Sequence, residues 1–280
     1  MKYISTLLLL SLSFGAFAQP DTSPRSRLRL QLAAELGGGL ATLRYDAGKA
    51  SHHNGAGGTV GAACYLFLSP QLALKTGLAL QLYTAEATAA GRTADGTTSA
   101  QTALGEAFRF TYEYTGYRER SQALTLTIPL MLQLESEGEL AFCAALGGKL
   151  AVPLAGSVRT TANRLLTTGY FELPNVTFEG DLPDYGFVDR SEDASHSYSP
   201  QLALLLSAEA GLKFRLSGQR CYAGFYFDYG VNSITAGSAN AELVGYRSDA
   251  PATFAYGSYL ENAKSVKLMG AGVLVRWFWR

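Results

Sequence analysis

Beyond its first 18 residues the chain has no uninterrupted apolar run of the ~18–20 residues that a membrane-spanning helix needs. A bundle of transmembrane helices is therefore excluded. Charge is sparse and shows no excess of either sign. Twenty-three Lys and Arg balance 23 Asp and Glu, so no long-range field favours nucleic acid. Cysteine and histidine number three each, and their spacing matches no metal motif. Against these shortages stand 30 glycines, 16 tyrosines and 14 phenylalanines, with 48% hydrophobic residues spread in short alternation rather than in blocks.

The N-terminus has the parts of an export signal. Lys2 supplies positive charge, Leu7 to Phe14 an apolar core, and Ala16-Phe17-Ala18 a small-x-small cleavage site, which would leave Gln19 first. A membrane anchor is disfavoured because the apolar run is too short to span. No cysteine follows the cleavage site, which argues against a lipoprotein. The expected organisation is a signal peptide over 1–18, a short periplasmic segment over 19–27 and an outer-membrane β-barrel over 28–280.

Eight stretches alternate apolar and polar residues, as a strand with two different faces requires. From Leu202 to Leu216 the even positions are Leu, Ala or Phe, while Gln201, Ser207, Glu209, Lys213 and Arg215 fall on the other face. Similar patterns run from Leu28 to Tyr45, Thr59 to Leu68, Leu72 to Tyr83, Leu124 to Leu134, Leu140 to Val152, Cys221 to Tyr229 and Met269 to Trp279. The stretches at Asp46–Gly58, Ala87–Phe108, Asn163–Tyr198 and Thr235–Asn262 read as long loops, with Phe110 to Tyr117 as a strand continuation. Ser69-Pro70-Gln71, Glu135 to Glu139 and Ser217-Gly218-Gln219 read as tight turns. Long and short connections thus alternate. In a bacterial barrel the short turns face the periplasm and the long loops face outside. The fold class is all-β: an eight-stranded antiparallel up-and-down transmembrane β-barrel with long extracellular loops. A soluble β-sandwich also uses alternating strands. The leucine-rich faces and the aromatic ends at Trp277-Trp279 and Tyr65-Phe67 favour lipid. Pro129 and Pro153 fall inside strands and predict a bulge or a missing ladder bond.

The polar face carries Arg29, Glu35, Lys75, Lys149, Glu209, Lys213, Arg215, Asp228 and Arg276. Eight strands enclose just enough room for side chains to fill, and buried charges must pair. These nine residues are therefore expected to form a barrel-interior charge network. Counting from the turns puts Glu35, Glu209 and Asp228 near one level, with Lys75 below and Lys149 above. Arg29, Lys213, Arg215 and Arg276 fall nearer the short-turn end. Cys64, Cys143 and Cys221 sit on three different strands and read as small hydrophobes. A disulfide would need Cβ atoms ~4 Å apart, which spacing does not decide. His52, His53 and His196 lie in expected loops near Ser51, Ser195, Asp46 and Asp193. They read as solvated loop residues rather than a catalytic or metal site.

Four segments carry a family likeness: Ala144 to Ala155 (AALGGKLAVPLA), Leu166 to Phe187 (LTTGYFELPNVTFEGDLPDYGF), Ser207 to Leu216 (SAEAGLKFRL) and Phe227 to Ile234 (FDYGVNSI). They resemble the β-barrel of Bacteroidota outer-membrane proteins, in particular the barrel portion of OmpA-like proteins. The resemblance covers most of the second half. Such proteins usually carry a C-terminal peptidoglycan-binding domain, which is not expected here, so cell-wall binding is not carried over. The family offers no agreed catalytic residue to carry over either. The chain end is similar to the signal read by barrel-assembly machinery, with Gly272, Val275, Trp277 and Trp279 in place and Arg280 as a departure.

The chain thus reads as a non-enzymatic protein of the cell outer membrane with a structural or surface-loop binding role. No catalytic, cofactor or metal residue is expected. The expected partners are outer-membrane lipid, the barrel-assembly machinery and an extracellular partner of the loops, with no nucleic acid. A narrow passive pore and an outer-membrane lipid-modifying enzyme or protease remain the alternatives.

Overall fold

A computed structural model describes residues 29–173, 175–235 and 242–279. The expected signal peptide, the 19–27 segment, Leu28 and Arg280 lie outside the described residues. Eight strands form the barrel: β1 (Arg29–Arg44), β2 (Ala56–Phe67), β3 (Leu72–Gln101), β4 (Ala107–Glu135), β5 (Ala141–Phe171), β6 (Ala203–Leu216), β7 (Gln219–Gly230) and β8 (Lys267–Phe278). Each is antiparallel to the next. β8 returns to pair with β1 from Ala33↔Phe278 to Arg44↔Lys267, closing the ring. Closure removes every sheet edge, which is what lets a sheet cross hydrocarbon.

Alternation decides what faces out. On β6, Leu204 and Leu206 are exposed while Ala203, Leu205, Ser207 and Glu209 are buried. The outward band continues through Leu78, Leu80, Leu130, Leu132, Leu146, Phe225, Phe227, Val273 and Trp277. Such a wide apolar surface is stable only against lipid. The β6–β7 turn has positive φ at Ser217 and Gly218, the backbone of a two-residue hairpin matched to strand twist. At Pro153 the β4–β5 register slips: Leu124 faces Ala155, but Thr125 faces Pro153. Pro129 keeps its place opposite Lys149.

Three stretches expected as loops are largely strand. β3, β4 and β5 are 30, 29 and 31 residues long, about three times what a crossing needs. The Thr- and Ala-rich segment after Ala87 continues β3 to Gln101. The Asn163–Tyr198 stretch holds the end of β5, a short strand Val176–Glu179, a single 3-10 turn Pro183–Tyr185 and a strand Phe187–Tyr198 that pairs with β5. Between Asp46 and Gly58, Ser51–Asn54 forms a strand against β3, and β2 already begins at Ala56. The cause is a core above the membrane. Small inward residues Ala85, Ala87 and Ala89 on β3 accompany inward Phe108, Phe110, Tyr112 and Tyr114 on β4, all buried. A composition of small and Thr residues resembles a loop until the aromatic strand it serves is known, and Thr itself favours strands. On the outer surface of this extension leucine gives way to ion pairs, Arg118–Glu86, Arg159–Asp193 and Arg164–Asp189. Unlike the leucine band, that level faces water.

Tyr65 and Phe67 also differ from expectation. Both point inward and are buried beside Tyr222 and Phe278, flooring the lumen at the short-turn end. Val60 takes an outward position on β2 instead, and Leu68 is exposed just past its end. The Phe67 ring answers two cations: Lys213 Nζ stands 5.5 Å from its centroid and the guanidinium carbon of the rim residue Arg29 5.1 Å from it.

Candidate functional site

Six of the nine charged residues assigned to the interior meet in one buried cluster. Glu209 binds Lys75 Nζ at 2.8 Å and Nη2 of Arg276. Arg276 Nε donates to Glu35 at 3.1 Å, and Lys75 lies 3.5 Å from the same carboxylate. Lys149 bridges to Asp228 at 2.9 Å and reaches Glu209 at 4.0 Å. Asp228 also accepts from Ser207 Oγ. Three carboxylates thus meet three cations, which leaves the buried cluster neutral. Such satisfaction is what makes buried charge tolerable. The Tyr222 ring lies 4.8 Å from the Arg276 guanidinium carbon. Strand register explains one of these contacts, since Glu35 stands opposite Arg276 on β1 and β8. Glu209, opposite Tyr226, is not a register neighbour of Arg276 or Lys75 and reaches them through its side chain.

The other three lie elsewhere. Lys213 forms a second, lower pair with Glu135 at 2.8 Å and donates to Gln31. Arg29 and Arg215 are exposed at the short-turn rim, Arg215 opposite Arg220, and neither joins the cluster. Both lie close to a strand end, where water reaches the guanidinium.

A second closure stands at the long-loop end. The segment after Leu243 folds into the extended barrel as a short hairpin, Val244–Arg247 with Thr253–Tyr256, and a single helical turn, Tyr259–Asn262. Leu243, Val244, Leu260 and Val266 are buried inside. Ser258 caps the helical turn, accepting from the Glu261 amide at 3.1 Å. Glu119 of β4 receives the amides of Tyr259 at 2.7 Å and Leu260 at 3.1 Å, the Tyr117 hydroxyl at 2.7 Å and the Ser121 hydroxyl at 3.3 Å. Burial raises the Glu119 carboxyl above its ordinary pKa, against the pull of Tyr117 and the two amides. Sequence reading missed this residue. The available signal was the Ser258-Tyr-Leu-Glu261 capping box, which marks a helix start inside an apparent loop.

The histidines serve structure. His52 Nε2 meets the Leu43 carbonyl at 2.8 Å, and His53 Nε2 meets Thr88 Oγ1 at 2.9 Å. His196 Nε2 contacts Glu261 Oε2 at 2.7 Å and so holds the helical turn from the Phe187–Tyr198 strand, two strands from Glu119. Ser195 bonds a backbone carbonyl, Asp193 pairs with Arg159, and Asp46 binds the Gly48 amide. Among the described residues no serine meets a histidine ring in the manner of a nucleophile and its base. No group of three metal-ligating side chains occurs among them either. The three cysteines are free thiols.

At the far tip of the extension lies an open cleft of about 990 Å³. The β3–β4 hairpin, the 171–187 segment and the 246–252 turn line it. Trp277 on β8 and Trp279 just past its end are exposed, and Val275 is half-buried. A Cβ on Gly272 would run into the backbone of Gly38, so strand contact alone requires glycine there.

No protein-family model and no curated protein matches the chain. Among solved structures it is similar to Ail, the attachment invasion locus protein of Yersinia pestis, in complex with the heparin analogue sucrose octasulfate. Identity is 8%, the TM-score 0.33, and the match covers 90% of this chain and 100% of that one. It is also similar to Neisserial surface protein A, at 10% identity and a TM-score of 0.31, over 89% and 96%. The eight-strand ring described above rests on its own strand pairing rather than on these likenesses.

Proposed function

We propose that the protein is a non-enzymatic barrel of the cell outer membrane, closed to solutes, whose role is to hold a stiff β-extension outside the cell for contact with a partner. One observation carries this. The sheet does not end at the lipid band but continues through β3, β4, β5 and the Phe187–Tyr198 strand. Its own aromatic core holds it rigid: Phe108, Phe110, Tyr112, Tyr114, Tyr117 and Phe187 are all buried. A protein that needed only an anchor would not maintain a second core beyond the membrane. Loops held by a rigid scaffold are where recognition concentrates. The outward side of the barrel takes lipid, and the β8 terminus with Gly272, Val275, Trp277 and Trp279 supplies the assembly signal. The polar cluster around Glu209 replaces an apolar core inside the barrel.

Orientation tests the proposal. An epitope tag inserted between Leu104 and Gly105, at the exposed β3–β4 tip, is expected to bind antibody on intact cells. Labelling only after the outer membrane is permeabilised would place the extension inside and overturn the surface role.

A further inference from the structure

We propose that the cleft at the tip of the extension is a binding site for a polypeptide segment in which apolar side chains alternate with Lys or Arg. This assignment rests on the surface role proposed above. The cleft is prebuilt. Phe171 stacks on Phe108 with centroids 4.9 Å apart, and Phe178 lies parallel to Phe187 at 6.1 Å. Tyr246 meets Phe108 edge-on at 5.0 Å, and the Ala252 amide donates to the Asp184 carbonyl at 2.9 Å, tying two walls together. Over this floor the apolar surface is left open: Leu173 is 92% exposed and Leu104 87%. The volume lies at the upper end of the range for ligand pockets.

Position excludes the host membrane as occupant. Leu154 is the last exposed leucine of β5 before the charged band, and Phe171 lies 17 residues farther along the same strand. At about 3.3 Å per residue that is roughly 55 Å of strand, beyond the reach of a lipid tail. The occupant therefore comes from the medium.

Charge selects its chemistry. Glu106, Asp184 and Asp249 line the cleft, and no Lys or Arg does. Among the described residues none of the three takes part in an ion pair, and all three are exposed. Each comes from a different wall: Glu106 from the β3–β4 hairpin, Asp184 from the 3-10 turn and Asp249 from the 246–252 turn. A ligand answering all three carries several cations spaced along its length, with apolar groups between them. A polypeptide supplies both. The open rings of Phe178 and Tyr185 add faces on which a cation is attracted.

The test uses the full-length protein in phosphatidylcholine nanodiscs, with empty nanodiscs as control. The probe is a labelled nine-residue peptide alternating Lys and Phe, followed by fluorescence anisotropy. The comparison peptides alternate Glu with Phe and Lys with Ser. The Lys/Phe peptide is expected to bind saturably, about tenfold or more tighter than either comparison. The double variant Asp184→Asn with Asp249→Asn is expected to lose about tenfold, and Glu106→Gln alone a smaller factor, with the folded gel band unchanged. Equal binding of the Glu/Phe peptide would show an apolar cleft indifferent to charge. Equal binding of the Lys/Ser peptide would show a merely acidic surface. Absence of binding by every peptide, phosphatidylcholine retained in the cleft, or self-association lost in Leu173→Ser would each overturn the assignment. A tip that is surface-exposed by the tag experiment yet binds no peptide overturns the cleft alone. A tip that is not surface-exposed overturns the surface role itself.

Discussion

Replacing Glu209 with alanine is expected to cost about 3–5 kcal/mol, because it leaves buried cations without their partner. Lys75, Arg276 and Lys149 all lie within 4.0 Å of this one carboxylate. Its removal leaves three cations facing two carboxylates in a lumen closed below by Tyr65, Phe67 and Phe278. Urea unfolding in lipid vesicles measures the loss, and a weakened heat-resistant gel band should accompany it. Pairing Glu209→Leu with Lys75→Met should recover part of the stability, since removing both charges also removes their desolvation cost. A cost below about 1 kcal/mol for Glu209→Ala would mean that water solvates the cluster freely, and the filled barrel would then be wrong.

The second large effect lies on the outside. Leu206→Arg places a guanidinium on the outward face of β6, where Leu206 is 61% exposed. Near the bilayer midplane such a change costs about 2–4 kcal/mol. Leu173→Arg is the control. Leu173 is more exposed still, yet it stands at the tip of the extension in water, and surface changes there stay within about 0.5 kcal/mol. Two exposed leucines should thus respond to the same substitution by very different amounts. Vesicle-based unfolding of both variants measures the difference. Equal costs would mean that the leucine band does not face lipid.

The barrel was legible in the sequence because its two faces have two solvents. Leu204 and Leu206 against Ser207 and Glu209 give one strand a lipid-compatible face and a polar one, and the strand register then sets Glu35 opposite Arg276. The extension was less legible for the opposite reason. There the outer face is wet and the inner face is small or aromatic, so the Thr and Ala of β3 beyond Ala87 show no leucine stripe. By sequence Tyr65 and Phe67 fit an interface belt, because aromatic residues suit both an interface and a cation-lined lumen. Only the register opposite Ala73 and Lys75 decides between them. Glu119 was invisible from its own strand. The two amides it receives lie about 140 residues away, in the Tyr259–Asn262 turn, and sequence shows only that turn's capping box.

Closure is the central claim. The lumen is crossed by the Glu209 cluster at one level and by the segment anchored on Glu119 at another. Single-channel recording of the purified intact protein in planar bilayers tests it most directly. No steady conductance is expected, since an eight-stranded barrel has no spare lumen once its side chains are placed. Steady, well-defined channel openings from the intact protein would contradict the account and make the barrel a narrow pore.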